Sequence, residues 1–341
     1  MLARFKKAFK ILIRGEEIQR KRGPIPAITE QELAELRQFF PREKFFIYGH
    51  ARSGTTLLAR LIRLHPEIHC NWQAHFFTRQ PFLTSLVDSP EIQEWLTRRS
   101  NRWNQAKDLS AFILRGAADL ILEREALLSG KRIVGDKSPS SLIHGQAIRD
   151  TSLIYPDARI IYIIRDGRDV LISERFRNFV EDSKFLNTQD KSIIADLKVN
   201  QTQFTDGSRS IFTDSFISRA AKGWVDNVTE TVTEGKRIYG DRFYLLRYED
   251  LLREPFAEMS SLWKSFGVEV DSALEQAIIA EAAENPDEQW QAQKNDSIAS
   301  FLPKGKVGNW KNMFTKADQA LFKSIAGKTL IEWGYEKDLD W

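Results

Sequence analysis

Apolar positions along the chain fall into two alternating patterns. Short apolar runs occur at residues 45–48, 133–134, 160–164 and 243–246, and each ends on glycine or a polar residue. Between them, apolar residues recur at helical spacing, as in Leu57, Leu58, Leu61, Ile62 and Leu64 and over the stretches 109–128, 218–238 and 255–266. Strands that are apolar throughout, rather than at every second position, predict a parallel sheet buried on both faces. Their alternation with helices predicts an α/β fold: a P-loop-type parallel sheet flanked by helices on both faces. In such sheets ligands gather at the carboxyl ends of the strands. The polar clusters considered below follow a strand or lie in a late loop.

After the turn-prone Gly23-Pro24-Ile25-Pro26, Thr29 and Glu32 form a capping box for a helix through about Phe40. We therefore read residues 1–28 as a separate N-terminal segment and 29–341 as a single domain. Two stretches, about 76–110 and 181–214, fit the sheet poorly. Insertions of that length in a compact domain are expected to be lids or binding loops, or else disordered, here helical and loop insertions on the acceptor side.

Composition narrows the choice. With 341 residues, 42% of them hydrophobic, the chain can bury a large core. Its net charge of +3 arises from 50 basic and 47 acidic residues, too balanced for binding driven by counterion release, so nucleic acid is not expected as a partner. Cys70 is the lone cysteine, which excludes an intrachain disulfide and favours a reducing, cytoplasmic compartment. No apolar run reaches the roughly 18 residues of a membrane span, and no signal-peptide pattern is present. Residues 1–22 combine Arg4, Lys6, Lys7, Lys10, Arg14, Arg20, Lys21 and Arg22 with Leu2, Phe5, Phe9, Leu12 and Ile13 at helical spacing. This predicts a basic amphipathic helix, either packed on the protein body or resting on a membrane surface.

The most informative segment is Gly49-His50-Ala51-Arg52-Ser53-Gly54-Thr55-Thr56, which joins the first strand to the first helix of the sheet. Backbone N–H groups at a helix start have no intrahelical acceptor, and the helix dipole favours an anion there. Aligned on the pattern G-x-x-x-x-G-K-[ST], the loop places Thr55 where the phosphate-reaching lysine belongs, which disfavours ATP hydrolysis. Arg52 supplies instead a permanent planar cation suited to an oxyanion.

The run FFIYGHARSGTTLLARLIRLHPEI resembles the 5'-phosphosulfate loop of the sulfotransferase family, particularly its bacterial and protein-tyrosine branches, which carry R-S-G-T-T and a following His-Pro. The segment from Tyr155 to Val170, with Ser173 beyond it, resembles that family's 3'-phosphate segment and gives Arg165 and Ser173 the phosphate-holding places. Gly135-Asp136-Lys137-Ser138-Pro139 is similar to the segment that sets a catalytic lysine beside the transferring sulfuryl group. Tyr248-Glu249-Asp250-Leu251 resembles a strand-end motif next to the adenine. Residues 304–311 resemble the late loop over the nucleotide, in which Lys304, Gly305 and Lys306 would reach the 3'-phosphate. Together these matches cover residues 45–311. They imply a PAPS-dependent sulfotransferase, with 3'-phosphoadenosine 5'-phosphosulfate (PAPS) as donor and 3'-phosphoadenosine 5'-phosphate (PAP) as product. The expected donor-binding residues are Arg52, Ser53, Gly54, Thr55, Thr56, Arg165, Ser173, Tyr248, Lys304, Gly305 and Lys306, and the expected catalytic residues are Arg52, Lys137 and His75.

His75 enters by substitution. In the related enzymes an acidic residue follows the His-Pro by a few positions, whereas this chain has Gln73 there, which cannot take a proton. His75, two residues on, has an ordinary pKa of about 6.5 suited to a general base, with Asp136 and His144 in reserve. The alternative for His75 is a half-buried packing residue between Trp72 and Phe76. His65, His69, Cys70 and His75 match no standard zinc spacing, so no metal is expected. Two rival functions remain: a P-loop nucleotide kinase or NTPase, and an inactive relative that binds PAP and sulfates nothing. The acceptor class, whether small molecule, carbohydrate, lipid or peptide, is left open. The aromatic residues between Trp72 and Trp103 suit sugar stacking, an apolar tail or a phenol.

Overall fold

The computed structural model describes residues 23–181, 186–284 and 305–341. The basic N-terminal helix expected over residues 1–22, and Lys304, lie outside the described residues. In chain order, the first half comprises α1 (Glu30–Phe39), β1 (Glu43–Gly49), α2 (Thr55–Ile62), β2 (Ile68–Trp72), α3 (Pro90–Thr97), α4 (Ser110–Leu128), β3 (Ile133–Lys137), α5 (Gly145–Ile154) and β4 (Arg159–Ile164). It continues with α6 (Gly167–Glu181), α7 (Thr188–Val199), α8 (Gln201–Thr205), α9 (Asp214–Tyr239), β5 (Phe243–Arg247), α10 (Tyr248–Arg253), α11 (Pro255–Ser265), α12 (Ala273–Ala283), α13 (Trp310–Met313) and α14 (Lys316–Glu332). The capping box at Thr29 and Glu32 forms as expected.

Among the described residues the strands make one sheet of order β2-β3-β1-β4-β5, parallel at every pairing. Successive residues of the central strands enter two different cores. Phe46, Tyr48, Val134, Ile160 and Tyr162 belong to one, Phe45, Ile47, Ile133, Ile161 and Ile163 to the other. That alternation is the pleat of a strand covered on both faces, and it is why these segments are apolar throughout.

One element departs from the sequence reading. Residues Ile68–Trp72 form edge strand β2, although Ile-His-Cys-Asn-Trp shows no apolar run. Its polar Asn71 is held locally, with Nδ2 donating to the carbonyls of Leu122 and Gly135 at 3.1 Å. The polar stretch 181–214 is largely helical where it is described, since Asn187 and Asp190 close a capping box on α7. Its periodicity is weak because α7 and α8 each bury a single apolar residue, Leu197 and Phe204.

Because every strand runs the same way, all carboxyl ends lie along one edge. The register pairs Ile47 with Lys137 and Gly49 with Ile163, so the loop after β1 sits between the ends of β3 and β4.

Candidate active site

The loop after β1 turns sharply into α2. Gly54 is the N-cap of α2 with φ +91, and a Cβ there would lie 2.2 Å from the Tyr248 ring. Only glycine fits both the left-handed backbone and the close ring. Within the loop Arg52 also has a positive φ of 72. Ser53 is buried, and its Oγ has no hydrogen-bond partner among the described residues. The imidazole of His50 is buried and donates from Nδ1 to the Ala51 carbonyl at 2.9 Å. Burial pushes its pKa down to about 4, so it adds no charge to the loop near neutral pH.

Arg165 and Ser173 approach this loop from the other side. Arg52 Nε donates to Ser173 Oγ at 2.9 Å, and Arg165 Nη1 donates to the Arg52 carbonyl at 3.1 Å. The strand end and the helix two turns later therefore do meet, with α6 running back beside β4. Arg165 Nη2 donates to the carbonyl of Lys306 at 3.0 Å, and its guanidinium stands 4.6 Å from the centroid of Tyr248. Its Nε is buried without a partner. The neighbouring carboxylate of Asp166 pairs with Arg168, so the simple ion pair between Arg165 and Asp166 is not the arrangement formed. Two buried donors or hydroxyls left without partners beside a helix N-terminus are what a bound phosphate would satisfy.

The late loop is fastened by a residue the sequence reading did not single out. Asp169, buried in α6, accepts from Gly308 N at 2.7 Å and Trp310 N at 3.1 Å. Arg168 stacks on Trp310 at 3.6 Å and lies 4.5 Å from the centroid of Trp341. Tyr248 adds a third tie by donating from its hydroxyl to Gly305 O at 2.7 Å. The signal was present in the Arg-Asp-Gly-Arg-Asp run, but a sequence does not say which carboxylate faces which loop.

On the acceptor side, β3 ends in Lys137. Its ammonium is buried, donates to Thr56 Oγ1 at 3.3 Å and faces the half-exposed ring of Trp72 at 5.1 Å. Burial pushes its pKa below the usual lysine value. Gln73 and His75 both adopt positive φ, 56 and 52. For residues other than glycine this costs of order 1–3 kcal/mol each. Three consecutive amides of that turn are caught by the end of β3. Gln73 N donates to Lys137 O at 2.9 Å, Ala74 N to Asp136 Oδ1 at 3.0 Å, and His75 N to Ser138 Oγ at 2.9 Å. Asp136 is thereby committed to holding the turn, with Ser138 Oγ donating to its other oxygen. The His75 ring is half-buried and bonds through Nδ1 to Thr78 Oγ1 at 2.8 Å. Burial lowers its pKa, with Arg79 and Lys137 adding to the effect. His144 caps α5 and faces Glu230 at 3.8 Å. Among the described residues no three His, Cys, Asp or Glu side chains converge as metal ligands would.

A phosphate-type loop at the centre of a parallel sheet, with cations converging from the ends of β1, β3 and β4 and no P-loop lysine, defines an oxyanion-binding α/β protein. The chain belongs to the sulfotransferase family, whose model matches residues 44–272. It is 31% identical to human (Homo sapiens) Sulfotransferase 1C2 over 120 residues, covering 28% of this chain and 40% of that protein. It is 26% identical to mouse (Mus musculus) Sulfotransferase 2A6 over 273 residues, covering 78% of this chain and 81% of that one. The aligned stretches span 24%, 40% and 53% of the first curated relatives. Among solved structures, mouse sulfotransferase SULT7A1 complexed with PAP aligns with a TM-score of 0.46 at 17% identity, over 89% of this chain and 94% of that chain.

Proposed function

We propose that this protein transfers a sulfuryl group from PAPS to a hydroxyl or amine of an acceptor, within a single domain spanning residues 29–341. The observation that carries the donor half is the meeting of Arg52, Arg165 and Ser173 around two unpartnered buried polar atoms, Ser53 Oγ and Arg165 Nε. These residues fit a nucleotide bearing phosphates at both ends. The Ser53 hydroxyl, the amides of Gly54 to Thr56 and the Arg52 guanidinium would hold the 5'-phosphosulfate. Arg165, Ser173 and the loop of Gly305 and Lys306, with Lys304 next to it, would hold the 3'-phosphate. Tyr248 would shape the wall between them. PAPS, when bound, supplies an activated sulfuryl group whose departure leaves PAP.

Lys137, pinned beside Thr56, would neutralise charge building on the transferring group, the largest contribution expected in such a site. His75 would take the acceptor proton. With Nδ1–H donating to Thr78 Oγ1, Nε2 would be the nitrogen that accepts the proton, and the depressed pKa keeps the ring neutral and receptive at pH 7. This reading is favoured over an inactive relative because the turn holding His75 is strained and fastened by three hydrogen bonds from β3. A phosphate-hydrolysing enzyme is disfavoured by Thr55 at the lysine position. Among the described residues no helix is long and apolar enough to cross a membrane. With Cys70 buried and unpaired, we place the reaction in a reducing, cytoplasmic compartment. We keep contact of residues 1–22 with a membrane surface as a proposal from the sequence.

The test is calorimetric titration with PAP and with adenosine 5'-phosphate. Arg165→Ala should weaken PAP by one to two decades, the loss of a charge-assisted hydrogen bond worth roughly 1.5–3 kcal/mol, and leave the monophosphate nearly unaffected. Equal affinity of the wild type for both nucleotides would overturn the donor assignment.

A further inference from the structure

A cavity of about 450 Å³ lies between the second half of α6 and the starts of α7 and α9. None of its lining residues belongs to the donor-side cluster. Asn187 and Thr213, the N-caps of α7 and α9, both line it. Each cap already satisfies one amide, Asp190 N at 2.8 Å and Phe216 N at 3.2 Å. The other first-turn amides of a helix have no intrahelical acceptor, and the dipole makes both helix starts positive.

A second observation is independent of the helix ends. Arg175 is only 2% exposed yet lines the cavity. Its Nε donates to Ile211 O at 2.7 Å and its Nη2 to Asp190 Oδ1 at 2.7 Å, and neither bond uses Nη1. Phe179 and Phe216, with ring centroids 4.3 and 4.9 Å from its Cζ, fix the guanidinium plane. Arg219 also lines the cavity, is exposed, and makes no hydrogen bond or ion pair among the described residues. Among the described residues the lining thus holds two cations against one carboxylate, Asp190. Glu174, directly before Arg175 on α6, offsets part of the Arg219 charge, and Asp214 in the first turn of α9 is exposed and not part of the lining. Arg219 is close enough to disfavour the charge of Arg175, which a bound anion would relieve.

The cavity is far larger than an inorganic ion needs and falls within the range of about 300–1,000 Å³ of small-molecule sites. Glu174 follows Ser173 directly and feels the charges of both Arg52 and Arg219, so the cavity lies close along α6 to the donor loop. We propose that this cavity binds a carboxylate or sulfate group carried by an organic acceptor, held by Arg219, Arg175 Nη1 and the first-turn amides of α9. The inference rests on the sulfotransferase reading for the word acceptor and adds to it an anionic substrate class.

The experiment titrates PAP-saturated protein with 6-hydroxy-2-naphthoate and with 2-naphthol, which differ by the carboxylate. The wild type should bind the naphthoate about 10- to 100-fold more tightly, the value of a charge-assisted bond to a guanidinium. Arg219→Gln should remove most of that preference and Arg219→Lys should keep part of it, with PAP affinity unchanged in both. Sodium sulfate, against sodium chloride of equal ionic strength, should compete with the naphthoate alone. Equal affinities for the two compounds, no binding of either, or a preference untouched by Arg219→Gln would overturn the proposal. Sulfate binding more tightly than the naphthoate would assign the cavity to a free anion and overturn the acceptor half. Failure of the protein to bind PAP at the outset would sink the donor reading instead, and the two failures are told apart in the first titration.

Discussion

Gly54→Ala tests the donor loop at its tightest point. The residue has φ +91, and a side chain there costs roughly 1–2 kcal/mol for the left-handed backbone alone. Its Cβ would also fall 2.2 Å from Tyr248 Cδ2 and 2.5 Å from Cε2, so the ring must move. The ring is held on both sides: its hydroxyl bonds Gly305 O at 2.7 Å, and the Arg165 guanidinium lies 4.6 Å from its centroid. Overpacking of a fixed neighbour adds about 1–3 kcal/mol. The total loss of stability should therefore be about 2–5 kcal/mol. Displacing Tyr248 also loosens Gly305 and Arg165, so PAP affinity should fall by about one to two decades. Gly130→Ala is the matched control. It has φ +68 with nothing within 4 Å of the added atom and stands far from the loop in sequence, between α4 and β3. It should cost only the backbone part, about 1–2 kcal/mol, and leave PAP binding intact. Urea denaturation gives the stabilities and calorimetry the affinities, both at a temperature where each variant is folded. If the two alanine variants lost equal stability, or Gly54→Ala bound PAP as well as the control, the packing of Tyr248 on this loop would not be what positions the donor.

Two further predictions concern protons. Burial, Arg79 and Lys137 hold the His75 pKa below its usual 6.5, so a histidine base is neutral and active above that lowered value. Activity should rise with pH through a midpoint below 6.5. His75→Ala should lower kcat by about 100-fold or more and abolish that limb, whereas a retained limb would remove His75 from the mechanism. At Asp157, burial alone would raise the pKa, but hydrogen bonds and charge from Arg115 and then Arg37 outweigh it and bring it from 3.8 to about 2. A carboxylate depressed on folding contributes stability above its unfolded pKa and loses it as pH falls through the folded one, here about 2 kcal/mol. The stability difference between wild type and Asp157→Asn, followed by urea denaturation, should be constant above about pH 5 and shrink between about pH 4 and 2. A difference that stays unchanged down to pH 3 would refute the linkage.

The strands that carry an apolar run, at 45–48 in β1, 160–164 in β4 and 243–246 in β5, were legible in the sequence. Edge strand β2 was not, because Ile-His-Cys-Asn-Trp breaks its apolar positions with His69 and Asn71 and imitates a loop. The same difference runs through the site. Arg52, Arg165, Ser173 and Tyr248 stand in motifs with fixed spacing from a strand end, and the sheet register brings them together. Asp169 and Ser138 act through hydrogen bonds across long sequence separations, and no local pattern marks an aspartate as the anchor of a loop some 140 residues later. The insertion at 181–214 was hard to read because its helices bury few residues, and its cavity is built from two helix starts that only the fold sets side by side.

The two halves of the proposed reaction are supported by different kinds of structure. Lys137 is the last residue of β3, and the turn bearing His75 is fastened by three consecutive amides to residues 136–138 of the same strand end. Any shift of one of these groups therefore moves the other with it, which favours fixed geometry between a proton acceptor and a charge-stabilising cation. On the donor side, by contrast, the late loop reaches Arg165 and Tyr248 through backbone carbonyls and is tied to α6 through the carboxylate of Asp169 and the stacking of Arg168 on Trp310. Such a loop can open by breaking a handful of hydrogen bonds without disturbing the sheet, while the chemistry at the strand ends remains assembled. Substrate exchange would then draw on the weakly held segment and catalysis on the rigid one, with Gly54 and Tyr248 at the contact between them.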